Sequence, residues 1–452
     1  MPRLPLEGIR VLDSTYVFAL PYAGAQLSDL GAEVIKIEGP ARCDIQARSG
    51  GLAGTFPEHI PGEDWWNRAS TYNLLNRGKR SLTLDMTDER GRDLFRQLVS
   101  VSDIVMENFT PRVMRGWGLD YPNLRKIKPD IILVSNTGYG HGGGPYSGYP
   151  AQATTQEATH GHCWVTGYAG GIPAKAGRSF VDFLSTWSAV FALGAALRYR
   201  NRTGLGQWID IGMYQAGVMF LSEYIMDATV NGRDGGRIGN RHPYRAPQGC
   251  YPAQGNDQWI TLSVGSDEEW NALCGLMGQD SLAQDPRFAD IVSRQRNHDA
   301  LDGLIGGWTK SHDKYNLMHL LQGQGIASGP VLSGKEVHFD PQYKSRNFLE
   351  RVTYPEERQM GTRFLMGRPY KLSNTPLQIR KPAPTFGEDN EPLLKELLAL
   401  EEDSYQKLVQ DAVITTVPLA GEPSPTLDPK EAVEKGLLAG WEPDYREQLG
   451  IS

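Results

Sequence analysis

The sequence predicts an α/β chain: a large domain built on a doubly wound, mostly parallel sheet, and a smaller α+β domain. Two observations carry this. Up to Asn231, short apolar runs of strand type alternate with runs whose apolar residues recur every three or four positions. After Asn231 the composition shifts to a stretch rich in Gly, Arg, Asn and Pro, and a different order of elements follows.

In chain order, residues 9–12 read as a strand. Ala23, Leu27 and Leu30 mark a helix that Gly31 ends. Residues 32–37 are a second strand, which completes a strand–helix–strand unit. Residues 81–84, 104–106 and 131–134 are further strands. Residues 88–100 form a helix with Leu94, Phe95 and Leu98 on one side. A long apolar helix runs from Asp182 to about Arg200, followed by a polar turn, a strand at 208–211 and a helix at 215–226. Strands at 249–251 and 258–262 and a helix after Ser266 open the smaller module. The expected divisions are 1–234 for the large domain and 235–340 for the small one. Residues 341–452 then form a tail or a return to the first domain, extended at 369–384 and helical at 391–400 and 404–412.

At 452 residues, the chain can bury a large core without metal or disulfide staples. Lys plus Arg number 46 against 53 Asp plus Glu, a net charge of -7, which argues against a general nucleic-acid surface. The opening MPRLPLEGIRVLD lacks the apolar run of a signal peptide. The longest nearly apolar stretch, 189–197, is shorter than the ~20 residues of a membrane span. The four cysteines, Cys43, Cys163, Cys250 and Cys274, make no CxxC pair. The expectation is a cytoplasmic chain with reduced thiols, no membrane partner and no nucleic-acid partner.

The first βα turn, residues 13–23, contains no glycine, so no dinucleotide fingerprint is present. P-loop, HExxH and GxSxG motifs are also missing. Gly142-Gly143-Gly144 is a flexible turn able to line an anion site. His160 and His162 have only Cys163 as a third neighbour, so loop histidines are expected and no metal site. Arg77-Gly78-Lys79-Arg80 at a strand entrance is either a phosphate-binding turn or a solvated basic one. Asp182 is the most unusual residue, set between Phe180-Val181 and Phe183-Leu184. It reads as a helix N-cap or a desolvated nucleophile, two compatible roles, and a helix N-terminus would limit the rise in its pKa and keep it ionised.

Several blocks together resemble the family III coenzyme A transferases, which include formyl-CoA transferase and the CaiB/BaiF proteins. They are Leu6-Glu7-Gly8-Ile9-Arg10-Val11-Leu12-Asp13 and Leu27-Ser28-Asp29-Leu30-Gly31-Ala32-Glu33-Val34-Ile35-Lys36, then Asn76-Arg77-Gly78-Lys79-Arg80-Ser81. Glu107-Asn108-Phe109-Thr110-Pro111, Thr203-Gly204-Leu205-Gly206-Gln207 and Pro382-Ala383-Pro384 with Gly387-Glu388 complete the set. The resemblance implies a Rossmann-like large domain, a C-terminal segment that returns to it, and two chains threaded through each other as an interlocked homodimer. It implies that Asp182, five residues after Gly177, is the catalytic carboxylate. It also implies CoA contacts from Val17 and Phe18, Lys79 with its neighbour Arg80, and Asn108 and Phe109. Where relatives carry basic residues, this chain has Gly39 and Gly116, so Arg42 and Arg115 (or Arg112) take their place.

Such an enzyme holds no permanent cofactor; acyl-CoA and small carboxylic acids are its substrates. A carboxylate suits the work, because its attack on a thioester gives an anhydride that stays activated. Backbone donors around 138–144, with His141, are candidates to stabilise the oxyanion. Arg178 and the cluster Arg237, Arg241 and Arg245 are candidates to receive an anionic acid. The alternatives are a solvated or CoA-facing basic loop and a dicarboxylate site served by succinyl-CoA. An α-methylacyl-CoA racemase is the runner-up activity, but the stretch Gly148-Tyr149-Pro150-Ala151-Gln152-Ala153 lacks that group's histidine. A non-catalytic CoA-binding homologue is the third reading.

Overall fold

The structure is a computed structural model that describes residues 3–50, 56–177 and 180–451. It divides into two compact units. The larger comprises Met1–His162, Gly177–Glu223 and Pro341–Ser452; the smaller comprises Cys163–Ala176 and Tyr224–Asp340. The segment Cys163–Ala176, read from sequence as part of the large domain, joins the smaller unit because its carbonyls are bonded there. Arg237 donates to Gly171 O and Trp164 O at 3.1 and 2.9 Å, and Gly239 N donates to Gly167 O at 2.8 Å.

The larger unit is an α/β layer structure. Its sheet has six parallel strands: β1 (Arg10–Ser14), β2 (Glu33–Glu38), β3 (Arg80–Thr83), β4 (Ile104–Glu107), β5 (Ile132–Thr137) and β6 (Trp208–Gly212). Their order is β3-β2-β1-β4-β5-β6, so the winding reverses between β1 and β4. Successive side chains of a strand point to opposite faces, and the inner strands here are largely apolar on both. Leu12, Ile35, Ile37, Leu82, Val105 and Leu133 meet Leu94, Phe95 and Leu98 of the Glu89–Ser100 helix. Val11, Val34, Ile104, Met106, Ile132 and Val134 meet the Ala19–Asp29 helix and Ala189, Leu193, Ala196 and Leu197 of the Phe180–Thr203 helix. Each such side chain contributes about 1.5–3 kcal/mol through burial.

Polar residues fix the element ends. Asp88 caps the Glu89–Ser100 helix by accepting from Arg90 N. Gly31, at φ +107, follows the Ala19–Asp29 helix, and a Cβ there would lie 2.6 Å from Leu4 Cβ. The C-terminal segment completes the exposed edge of β3: Ser81 N donates to Asp389 Oδ2 and Thr83 N to Asn390 Oδ1, each at 2.8 Å. Leu393 and Leu394 of the Asn390–Leu398 helix then enter the core. Residues 369–384 form neither helix nor strand.

The smaller unit carries an antiparallel sheet of β7 (Gln248–Pro252), β8 (Trp259–Ser263) and β9 (Ala327–Pro330), packed against Trp270, Phe288 and Leu301. A further antiparallel hairpin, β10 (Leu349–Thr353) and β11 (Thr362–Met366), belongs to the larger unit. The helix expected at 215–226 is instead two helices, Met213–Val218 and Ser222–Asn231, joined by a 3-10 turn.

The long helix has 24 residues, and a stretch of it has mean hydropathy 1.6, long and apolar enough to cross a membrane by composition. The sequence reading of 189–197 understates it. One face packs on the sheet; only 39% of the stretch is buried, and Phe191 is 79% exposed.

Candidate active site

In doubly wound sheets, ligands bind outside the carboxyl ends of the strands where the winding reverses. Here that place lies between the loops after β1 and β4. Tyr16 N donates to Asn108 Oδ1 at 2.8 Å, and Asn108 Nδ2 donates to Tyr16 O at 2.6 Å. This reciprocal pair ties the two loops together. The Tyr16 and Phe109 rings meet edge to face at 5.5 Å. Val17 has φ +69, a left-handed conformation that strains a β-branched residue by about 1–3 kcal/mol. Asp44 holds it there, accepting from Val17 N at 2.9 Å. Tyr16 Oη donates to Arg42 O at 2.7 Å, which brings the loop after β2 to the same place, with the Arg42 side chain exposed. Arg115, also exposed, lies near His141 at the ends of β4 and β5. Val17, Phe18, Arg42, Asn108, Phe109 and Arg115 are therefore gathered at one end of the sheet.

Lys79 and Arg80 are not, and their expected phosphate contacts are corrected. Lys79 is 0% exposed, and its three protons go to Asp13 Oδ2, Pro21 O and Asn76 Oδ1 at 2.6, 2.8 and 2.8 Å. Burial lowers its ammonium to about 8 although Asp13 opposes the change. Arg80 faces Glu33, Asp389 and Glu396 at 2.9, 3.1 and 2.9 Å, and so pins the C-terminal segment to the edge strand. The basic turn is thus structural: one cation supports the first loop from beneath, and the other fastens the chain's return.

Asp182 lies in the first turn of the Phe180–Thr203 helix, as its third residue and not its N-cap. Its neighbour Phe183 packs edge to face on Phe18 and Tyr22 at 5.2 and 5.5 Å. Thr186 Oγ1, one turn on, donates to Ala19 O at 2.6 Å. The residue after the first loop is thereby bonded to the helix that carries Asp182. Burial, and next the charge of Glu157, push the Asp182 carboxyl up to about 7, against its own backbone N–H. The helix terminus limits this rise without cancelling it, because burial is the larger effect.

Glu157 belongs to the Ala153–Thr159 helix. It is 0% exposed, and neither carboxylate oxygen accepts a hydrogen bond. Gln156 beside it and His160 one turn on are buried with their side-chain polar atoms unbonded, as is Ser185 Oγ one turn beyond Asp182. His160 is therefore no surface histidine. Burial lowers its ring, and Gly217 faces it so closely that a Cβ would lie 2.2 Å away.

The glycine-rich stretch offers fewer donors than expected. Gly140 N donates to Thr137 Oγ1 at 3.0 Å and His141 N to Asp210 Oδ1 at 2.9 Å, whereas Gly142 to Gly144 are exposed. The His141 ring, lowered by burial, lies 3.4 Å from Glu107, itself pushed up to about 7 by desolvation.

A model of CoA-transferase family III matches residues 6–390. The chain belongs to that family. It is similar to succinate–glutarate CoA-transferase of Agrobacterium fabrum, 34% identical over 398 residues, covering 88% of this chain and 96% of that protein. Acetyl-CoA:oxalate CoA-transferase of Acetobacter aceti is 33% identical, with 88% and 97% covered. Succinyl-CoA–D-citramalate CoA-transferase of Chloroflexus aurantiacus is 31% identical, with 91% and 99% covered. The crystal structure of a CaiB/BaiF family protein from Brucella suis superposes with a TM-score of 0.77 at 32% identity, covering 87% of this chain and 99% of that one.

In this family III CoA-transferase, the sequence motifs have distinct structural duties. Glu107-Asn108-Phe109 ends β4 and builds the loop pair. Pro384 O accepts from Tyr72 Oη at 3.0 Å, Ala383 O accepts from Arg358, and Gly387 N donates to Ser81 Oγ at 2.9 Å, so the closing motif seals the β3 edge. The arginine cluster of the smaller unit is not a free anion receptor. Arg241 is held by Asp299 and Asp302 at 2.5 and 2.6 Å, and Arg237 by the carbonyls given above; Arg245 is exposed. Arg178 lies outside the described residues. Glu157 and Gln156 escaped the sequence reading, because Ala-Thr-Thr-Gln-Glu-Ala-Thr has the composition of a solvated helix.

Proposed function

We propose that this CoA-transferase moves CoA from succinyl-CoA to a dicarboxylic acid acceptor, with Asp182 as the nucleophile. One observation carries the reading. Asp182 is a desolvated carboxylate in a helical first turn, joined through Phe183 to Phe18 of the loop read as the CoA contact. A carboxylate with a pKa near neutrality is both ionised in part at working pH and more nucleophilic than an ordinary one.

The Asp182 carboxylate attacks the acyl carbonyl and the CoA thiolate leaves, which gives a mixed anhydride. The thiolate attacks the aspartyl carbonyl and releases the donor acid, leaving an aspartyl-CoA thioester. The acceptor carboxylate attacks that carbonyl and expels the thiolate again. Attack of the thiolate on the acceptor carbonyl then restores Asp182. Protons and water take no part, so the site must exclude water from the anhydride.

The choice of acids is supported by the names of the relatives, which pair succinate or acetyl-CoA with glutarate, oxalate or citramalate, all dicarboxylic. Val17, Phe18, Arg42, Asn108, Phe109 and Arg115 are assigned to the CoA end of the site. A homodimer fits the exposed apolar residues Phe191, Met219 and Phe220, 79%, 69% and 58% exposed. A cytoplasmic setting fits the unbridged cysteines.

The test is an acceptor screen. Purified enzyme with succinyl-CoA, acetyl-CoA or formyl-CoA is offered mono- and dicarboxylic acids, and product CoA esters are read by mass spectrometry. Hydroxylamine trapping should label a single peptide containing Asp182. A preference for monocarboxylates overturns the acceptor assignment, and label on another residue overturns the nucleophile.

A further inference from the structure

The reading of Asp182 as nucleophile leaves one buried acid without a task. Glu157 is wholly enclosed in the larger unit, and neither of its oxygens has a hydrogen-bond partner. A buried carboxylate without bonds is costly to keep and is a place to look for function. Its surroundings make the cost plain. Gln156, His160 and Ser185 are also buried with unbonded polar atoms, on or just after the Ala153–Thr159 helix and in the first turns of the long helix, which pack on each other.

The Ala153–Thr159 helix packs on the Phe180–Thr203 helix, and across that contact the charge of Glu157 opposes that of Asp182. Among the described residues, the helices and strands packed on the long helix bring no competing cation to Asp182. The acid Asp29 of the Ala19–Asp29 helix is consumed by Arg77 and Arg368 at 2.9 and 2.8 Å. The Met213–Val218 helix has no charged residue, and Asp210 of β6 holds the His141 amide. His160 and His162 are the titratable neighbours on Glu157's own stretch of chain.

We propose that Glu157 is a positioning residue that drives Asp182 toward its acylated forms. The buried carboxylate of Glu157 and the half-buried one of Asp182 repel each other. When Asp182 becomes an anhydride or a CoA thioester it loses its charge, and the repulsion ends. The bond formed is Asp182 oxygen to acyl carbon, and later aspartyl carbon to sulfur; the charge leaves with the thiolate or the released acid. A proton on Asp182 relieves the same repulsion. Proton affinity and acylation are therefore linked through one interaction, and a change at Glu157 must move both by the same factor.

The proposal rests on Asp182 being the nucleophile, and the experiment separates the two. Transfer from succinyl-CoA is measured from pH 5 to 9, and the ratio of acylated to free enzyme is read by acid quench and mass spectrometry. For Glu157→Gln, the acid limb near pH 7 should fall by about one pH unit and the acyl-enzyme ratio by about tenfold, the two being the same free energy. Glu157→Asp keeps the charge and should retain both wild-type values, which also covers failure of the glutamine variant to fold. An unmoved limb with an unchanged ratio in Glu157→Gln, or values displaced in Glu157→Asp, overturns the proposal. Asp182→Asn distinguishes the cases. If it still forms trapped acyl-enzyme, the nucleophile assignment falls; if it forms none while Glu157→Gln behaves as wild type, only the role of Glu157 falls.

Discussion

Replacing Asp182 by asparagine should stabilise the larger unit at neutral pH while abolishing transfer. The size of the effect follows from the site. Burial and Glu157 lift the carboxyl from 3.8 to about 7. Such a rise corresponds to about 4 kcal/mol between the two protonation states. The folded value lies above the unfolded one, so the contribution of Asp182 is most favourable below about pH 4. It is lost as pH rises toward 7 and is constant beyond. Asparagine never ionises and escapes the loss. The stability difference between variant and wild type should therefore be near zero at pH 4 and grow to several kcal/mol by pH 7.5. Glu107, also pushed up to about 7, weakens both proteins in the same window, which is why the difference is the quantity to read. Equilibrium urea unfolding at fixed protein concentration supplies it, from midpoints at pH 4.5, 6 and 7.5. A difference that stays flat with pH, or a variant less stable than wild type at pH 7.5, refutes the desolvation argument.

Other substitutions probe the supporting framework. Lys79→Ala leaves Asp13 buried and unpaired, and should cost about 3–5 kcal/mol in urea unfolding; a raised KM for acyl-CoA with an unmoved midpoint would restore the phosphate-contact reading. Asn108→Ala removes both bonds to the Tyr16 backbone and should raise KM for acyl-CoA about tenfold with kcat little changed, in steady-state kinetics. Gly421→Val places a Cβ 2.4 Å from Ile45 Cδ1 at a residue with φ +110. It should loosen the C-terminal strap, which otherwise bonds Leu419 N to Pro40 O and Ser424 N to Ser49 O. Limited proteolysis should then cut within residues 415–430 faster than in wild type.

Much of the fold was legible because its signals are local. The inner strands of the six-stranded sheet are largely apolar on both faces, and the helices between them show their spacing and their ends, as at the stop Gly31 and the start Asp88. Elements held by partners far along the chain were not legible. β9 is Ala-Ser-Gly-Pro, without a strand former, and exists because β8 supplies its hydrogen bonds. The β10–β11 hairpin mixes Glu350, Arg351 and Arg363 with short apolar runs such as Phe364-Leu365-Met366, so its alternation is faint. Spacing cannot tell which cation is free, and this misplaced Lys79, Arg80 and Arg241. Each is consumed by an acid: Asp13 lies 66 residues from Lys79, Asp389 309 residues from Arg80, and Asp299 58 from Arg241.

The site itself was half legible for a physical reason that also bears on how it works. Without a glycine in the first βα turn, the loop cannot approach a phosphate as bare backbone, and it is shaped instead by side chains. Asp44 holds Val17 in a left-handed conformation, Asn108 grips the Tyr16 backbone, and Phe18 packs on Phe183. The last contact is decisive, because Phe183 is covalently next to Asp182. The first loop and the helix that carries Asp182 are thus joined by one ring pair and the Thr186–Ala19 hydrogen bond, and on the proposed reading an ordering of the loop by a bound thioester would reach Asp182 through them. On that reading the proposed nucleophile stands not on the loop proposed to hold the carrier but on the helix that the loop packs against. That separation lets Asp182 stand half-buried and within reach of the charge of Glu157, while Arg42 and Arg115 remain exposed.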